Sequence, residues 1–209
     1  ATVTIKGTGN YGGTITKNFK ISPKTLTTSN FKASTKYKTY NGKAQKAVTT
    51  VKDGKKTLKA GKNYTVQYYV NKAWTTTAPT NRGVYSVRIV GTGNYTGTVA
   101  APNSYEIKQV AIGKVTVSCP KEVKWKSGKP VTPPVKVKIG KNTLTAGVDY
   151  NIGYYKITKD SVGRQVKTAV SASALCDKGN YIAVISARGG NINWGTKQTI
   201  EKKFTIKKM

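Results

Sequence analysis

Histidine is missing from the 209-residue chain, and acids are scarce: seven Asp and Glu stand against 37 Lys and Arg, a formal charge of +30. The first absence removes the commonest general base and the commonest zinc ligand together. The second leaves few carboxylates for the paired acid–base work of glycoside hydrolysis. Cysteine is limited to Cys119 and Cys176, neither flanked by a second Cys or a His, so no metal site is expected. No run approaches the roughly 20 apolar residues that span a bilayer. Ala1-Thr2-Val3-Thr4 has neither the basic nor the apolar part of a leader, so an export signal or anchor is expected outside this segment. Arginine is also sparse, at Arg82, Arg88, Arg164 and Arg188. Lysine, which supplies the other cations, lacks the planar fork suited to reading phosphates or bases, and this argues against nucleic acid as the partner.

What the chain has instead is self-similarity. Leu58-Lys-Ala-Gly61-Lys-Asn-Tyr64-Thr-Val-Gln-Tyr68-Tyr69 returns 86 residues later as Leu144-Thr-Ala-Gly147-Val-Asp-Tyr150-Asn-Ile-Gly-Tyr154-Tyr155. Gly7-Thr-Gly9-Asn10-Tyr11-Gly-Gly-Thr14 returns as Gly91-Thr-Gly93-Asn94-Tyr95-Thr-Gly97-Thr98, and more loosely around Asn193-Trp194-Gly195-Thr196. Each copy leads into a closing strand, around Phe19 and Ile21, Tyr105 and Ile107, and Phe204 and Ile206. The boundaries therefore read as a partial repeat over 1–22, a full repeat over 23–108 and a third over 109–209, lengthened by a loop insertion around 158–178. The length suits two domains of about 100 residues. Because lone strands are unstable, residues 1–22 are expected to pack on the following domain; pairing with another chain's edge, or fraying, are the alternatives.

The local period is two. Tyr64, Val66, Tyr68 and Val70 alternate with Thr65, Gln67 and Tyr69, and Tyr85, Val87 and Ile89 alternate with Val84, Ser86 and Arg88, as half-buried strands require. Asp53-Gly54 marks a tight hairpin turn with positive φ. No window shows helical spacing with caps. Short strands punctuated by Gly, Asn, Asp and Pro predict an all-β fold of antiparallel sandwiches, with a barrel as the alternative. Gly7-Thr-Gly9-Asn-Tyr-Gly12 satisfies a dinucleotide-binding pattern, but no helix follows, and the second copy carries Thr96 in place of Gly12; it reads as a β-turn.

The pattern Tyr40-Asn41-Gly42-Lys43, Leu58-x-x-Gly61-x-x-Tyr64, Gly91-Thr-Gly93-Asn94-Tyr95-x-Gly97-Thr98 and Tyr105-x-Ile107 resembles the Ig-like β-sandwich repeats of large surface proteins and adhesins of Gram-positive bacteria. The third repeat matches through Ser127-Gly128-Lys129, Leu144-x-x-Gly147-x-x-Tyr150 and the Trp194 corner, and departs through its insertion and its cysteines. The resemblance implies a secreted or cell-surface setting and a stalk, spacer or ligand-binding role, and it names no catalytic residue.

The charge is a coat rather than a patch: three net charges fall in 1–22, thirteen in 23–108 and fourteen in 109–209. It suits salt-sensitive attraction to an anionic cell-wall polymer or acidic host glycan. Lys52, Lys55, Lys56 and Lys59 form one cluster. Tyr69 and Tyr155, facing away from the inward tyrosines, and Trp74, in the polar stretch Asn71–Pro79 read as a loop, are candidate ligand contacts, as is Trp125 in a Lys-Trp-Lys run. Each has a plain alternative as outer surface or as cover for the core. A host surface protein bound by an edge strand or loop face is the other partner class. An in-chain disulfide between Cys119 and Cys176 would stabilise the third repeat by about 4 kcal/mol and suit an oxidising exterior; two buried thiols are the alternative. Several acids align with non-acids between repeats, Asp149 with Asn63 and Asp53 with Ile139 among them, so the fold does not need them as carboxylates. A non-enzymatic chain without cofactors is expected.

Overall fold

A computed structural model describes residues 1–33, 37–47 and 49–208. The chain is all-β, with no α-helix among the described residues, and its strands form a hairpin followed by two sets. The hairpin pairs β1 (Thr2–Lys6) with β2 (Thr14–Asn18). The first set is β3 (Lys24–Thr25), β4 (Phe31–Ala33), β5 (Tyr37–Thr39), β6 (Thr49–Asp53), β7 (Lys56–Thr57), β8 (Tyr64–Val70), β9 (Ala73–Thr75), β10 (Gly83–Gly91), β11 (Tyr95–Thr96) and β12 (Thr98–Lys108). The second is β13 (Val110–Ala111), β14 (Val115–Ser118), β15 (Glu122–Lys124), β16 (Lys136–Ile139), β17 (Asn142–Thr143), β18 (Tyr150–Lys159), β19 (Gln165–Val170), β20 (Gly179–Ala187), β21 (Ile192–Asn193) and β22 (Thr199–Lys207).

Sheet orders β5-β12-β10-β8-β9 and β4-β6-β7 in the first set are matched by β15-β22-β20-β18-β19 and β14-β16-β17 in the second, and the two-strand pairings β11-β3 and β13-β21 also correspond. This multi-sheet arrangement is compatible with a β-sandwich. It is not purely antiparallel: β5 on β12, β15 on β22, β3 on β11 and β13 on β21 run parallel. Parallel neighbours need a crossover rather than a tight turn. Here the two partners of each pair are separated by most of a repeat, a relation that local periodicity does not carry.

The repeated sequence takes the same local structure twice. Leu58 N–H donates to Val51 O and Leu144 N–H to Val137 O, each at 2.8 Å, and both leucines are buried. Gly61 at φ 81° and Gly147 at φ 80° turn the chain so that their amides reach Tyr64 O and Tyr150 O. Left-handed backbone at this point favours glycine, and the turn delivers a buried tyrosine to the first position of β8 and β18. The β6–β7 hairpin closes through Asp53↔Lys56, with Gly54 at φ 57°, as the dipeptide predicts. In the Gly-Thr-Gly-Asn-Tyr segment, Gly91 N–H donates to Gly97 O at 2.9 Å, and a Cβ on Gly91 would lie 2.7 Å from the Thr96 backbone nitrogen. The glycine spacing serves this β-turn, with Tyr95 buried beside it.

The chain forms two compact units. The first comprises Ala1–Thr35, Ala47–Thr77 and Tyr85–Ser104. Its core includes Val51, Leu58, Tyr64, Tyr68, Val87 and Ile89, the aliphatic members each worth about 1.5–3 kcal/mol if fully transferred from water. The β1–β2 hairpin contributes nothing to that core: all ten of its strand residues are exposed, so the expected packing on the following repeat is not found.

The second unit comprises Lys36–Lys46, Ala78–Val84 and Tyr105–Met209. Val131, Leu175, Tyr181, Ala183, Phe204 and Ile206 form a core cluster in it, with Tyr181 stacked on Phe204 at 5.5 Å. The insertion at 158–178 is not simply a loop: β19 lies within it and pairs with β18 from Tyr154↔Val170 to Lys159↔Gln165, lengthening the hairpin. Cys119 and Cys176 are both free thiols, and the expected disulfide is absent. Their sulfurs turn to local carbonyls instead, Cys176 Sγ–H to Ser173 O at 3.3 Å and Cys119 Sγ–H to Pro120 O at 3.6 Å.

The same unit holds a buried polar cluster that gives one aligned acid a task. Asn63 Oδ1 accepts from Lys59 N–H, and Asp149 Oδ2 accepts from Thr145 N–H in the equivalent turn, so either side chain serves the turn. Asp149 does more: buried itself, it accepts a hydrogen bond from the buried Tyr40 hydroxyl. Burial first, and then this bond, push the Tyr40 phenol well above its ordinary value. Asn191 completes the cluster, accepting from Arg82 N–H at 2.8 Å and donating to Asn81 Oδ1 at 3.0 Å. Gly42 sits so close to Leu144 that an added Cβ would lie 2.8 Å from its Cδ2.

Candidate ligand-binding face

Strand β8 buries Tyr64 and Tyr68 and presents Gln67 and Tyr69 on the other face, as the alternation requires. Trp74 is not in a loop: it stands in β9, directly opposite Tyr69. The reason is the connection between the strands, where Asn71 at φ 50° and Lys72 at φ 64° make a two-residue turn with both central residues left-handed. On the other side of β8, Arg88 of β10 lies opposite Gln67.

The register gathers these side chains into a row across three strands. The Tyr69 and Trp74 rings are 5.3 Å apart at 55°. The Arg88 guanidinium lies 4.2 Å from the Trp74 ring centroid, where the cation meets the negative face of the indole. Arg88 Nε–H donates to Gln67 Oε1 at 2.7 Å, which holds the guanidinium in place. Tyr69 is 44% exposed, and Trp74, Arg88 and Gln67 are half-buried. A fixed aromatic pair beside an oriented cation suits a flat, partly apolar ligand that also carries negative charge. Arg88 and Gln67 escape the sequence reading as ligand contacts. The alternation already puts Arg88 on an outward face, but which strands lie next to each other is not periodic information.

The other predicted contacts are placed differently. Tyr155 of β18 has Ala169 and Ile182 as its cross-strand neighbours, and is half-buried. Trp125 packs against the core cluster of the second unit; its indole N–H donates to Cys176 O at 2.8 Å, and Lys178 lies 4.9 Å over its ring. It covers that core. Lys52, Lys55, Lys56 and Lys59 are all exposed, on the turn after the β6–β7 hairpin and on the hairpin itself, which belongs to a different sheet from the strands that carry the aromatic row. Asp53 in that hairpin is paired with Lys24 at 2.5 Å and accepts from Tyr95 Oη–H at 3.2 Å. The hydrogen bond from Lys24 holds its carboxyl below the usual range.

Most of the acids are occupied by cations: Asp160 by Arg164, Asp177 by Lys156, Glu201 by Lys167 and Glu122 by Lys207, at 2.5 to 3.1 Å. Such exposed pairs stabilise little. A groove of about 430 Å³ in the second unit is lined by Lys121, Lys203, Gln165 and Asn180 among others, with no acid in its lining. Among the described residues no cluster of three or more His, Cys, Asp or Glu is placed to hold a metal, and no helix is long and apolar enough to cross a membrane. The chain matches no family model, no curated protein and no solved structure.

Proposed function

We propose that the chain is a non-enzymatic, extracellular module of a bacterial surface protein, an adhesin or stalk segment built from tandem Ig-like sandwiches that binds an acidic glycan or anionic wall polymer. The observation that carries the ligand class is the Tyr69–Trp74–Arg88 row, where aromatic area and a held guanidinium share one sheet face. The lysine coat, with Lys52, Lys55, Lys56 and Lys59 as its local concentration, supplies attraction that depends on salt. The matching sheet orders of the two strand sets support the tandem-module reading.

The test is binding of the intact chain to immobilised sialylated and sulfated glycans and to teichoic acid over a range of salt. Trp74→Ala is expected to weaken glycan binding about tenfold, ~1.4 kcal/mol, at every salt concentration. Replacing the four lysines by Gln is expected to flatten the salt dependence while leaving the glycan preference intact, and Tyr155→Ala to change neither. Neutrality of Trp74→Ala would remove the site. Capture of a host serum protein that survives high salt would favour the protein-binding alternative.

A further inference from the structure

The β1–β2 hairpin has the sequence of a repeat's end and the structure of one, but lacks the cover. Counting back from the shared turn, Val3 and Ile5 correspond to Val87 and Ile89, Tyr11 to Tyr95 and Ile15 to Val99; in the closing strand Phe19 and Ile21 correspond to Tyr105 and Ile107. In the full repeat these six side chains are 0, 0, 7, 5, 0 and 1% exposed; in the hairpin they are 47, 63, 81, 61, 49 and 75% exposed.

The hairpin is nevertheless already shaped. Gly7 N–H donates to Gly13 O and Gly91 N–H to Gly97 O, both at 2.9 Å; Tyr11 N–H to Thr8 O and Tyr95 N–H to Thr92 O are both 3.3 Å. The register Ile5↔Ile15 and Val3↔Lys17, extended by Phe19 N–H to Ala1 O at 2.8 Å, puts Val3, Ile5, Ile15 and Phe19 on one face, with Lys17 as its one charged member. Thr2, Thr4 and Thr16 line the other face, where Thr2 Oγ1–H donates to Asn18 Oδ1 at 2.8 Å. A two-stranded hairpin with one largely apolar face and open edges is marginal alone and a ready template for another strand.

The full repeat indicates what fits. There β10 is paired by β8, with Val87↔Tyr68, Ile89↔Val66 and Gly91↔Tyr64. A second copy of this chain has no such strand to lend, because β8 is held between β10 and β9, and β18 between β20 and β19.

We propose that the β1–β2 hairpin is a docking surface for the front half of a repeat of this kind, a polypeptide segment with the pattern of residues 23–84. Its strand equivalent to β8 pairs antiparallel on β1, with Val3, Ile5 and Gly7 opposite the positions of Tyr68, Val66 and Tyr64. Its apolar side chains cover Val3, Ile5, Ile15 and Phe19. This interface is independent of the glycan reading and stands or falls without it.

The experiment uses the intact chain and two probes: a separate polypeptide with the sequence of residues 23–84, and a fusion of that same sequence directly before Ala1. Amide hydrogen exchange at Val3, Ile5, Ile15 and Thr16 is the readout. Exchange in the chain alone is expected to be fast, with at least hundredfold slowing in the fusion and on saturation with the separate segment. Ile5→Asp and Phe19→Asp are expected to abolish the slowing while leaving the melting of the remaining chain unchanged, since both side chains are exposed. Fast exchange in the fusion overturns the proposal, even if the separate segment proves insoluble. So does slowing that survives both Asp substitutions, or concentration-dependent protection of the chain alone, which would make a second copy the occupant.

Discussion

The Tyr40 hydroxyl and the Asp149 carboxylate illustrate how one atom changes a position's meaning. Asn63 and Asp149 do the same turn-closing work, yet only Asp149 also receives a buried phenol. Tyr40→Phe removes the donor and leaves a buried carboxylate short of a partner, at an expected cost of about 2 kcal/mol in urea unfolding at pH 7. Asp149→Asn keeps an acceptor for Thr145 N–H and is expected to cost less. Burial and the bond to Asp149 raise the Tyr40 phenol above its ordinary value of 10.0, so the folded state holds the proton more tightly than the unfolded chain. The stabilisation is therefore complete below about pH 10 and is lost as pH climbs from there. The stability gap between wild type and Tyr40→Phe should narrow above pH 10; a gap that stays constant to pH 11 would show that the phenol proton is not its source.

At the scale of the element, the β8–β9 turn decides whether the aromatic row exists. Sequence punctuation marks Asn71–Pro79 as loop, because a polar, Thr-rich stretch carries little strand signal. The two left-handed residues Asn71 and Lys72 overrule it by returning the chain along β8 in a register that sets Trp74 opposite Tyr69. Lysine is poorly suited to φ 64°. Lys72→Gly is expected to stabilise the hairpin by about 0.5 kcal/mol and Lys72→Val to destabilise it by about 1 kcal/mol, measured by thermal unfolding. Lys72→Val should also weaken the proposed glycan binding without touching a proposed contact residue, because it disturbs the register that places Trp74.

For the whole molecule, a charge of +30 spread over all three repeats works against compactness through self-repulsion. Salt shortens the reach of that repulsion to about 10 Å at 0.1 M and about 3 Å at 1 M. The melting temperature is accordingly expected to rise by several degrees between ~20 and 500 mM NaCl, in calorimetry at pH 7. A flat profile would mean that the lysines are spaced widely enough not to oppose folding. The proposed glycan binding should move the other way, weakening over the same range.

Much of the fold was legible because its signals are local. The two-residue period put Tyr64 and Tyr68 inside and Tyr69 outside; Gly54, Gly61 and Gly147 mark turns that need positive φ; and the 86-residue offset announces two sets of strands built to one plan. Burial alternation and turn geometry depend on nearest neighbours along the chain, so they survive in a single sequence. The parallel closing of β5 on β12, the free thiols of Cys119 and Cys176, the Arg88–Trp74 stack and the Tyr40–Asp149 bond between residues 109 positions apart do not. These depend on which strand lies beside which, a choice made by burying a whole sheet face at once, and no local period encodes it. The hairpin of residues 1–22 lies between the two cases: its strands and turn could be read from the repeat, while its bare face appeared only where the folded chain left Val3, Ile5 and Phe19 in water.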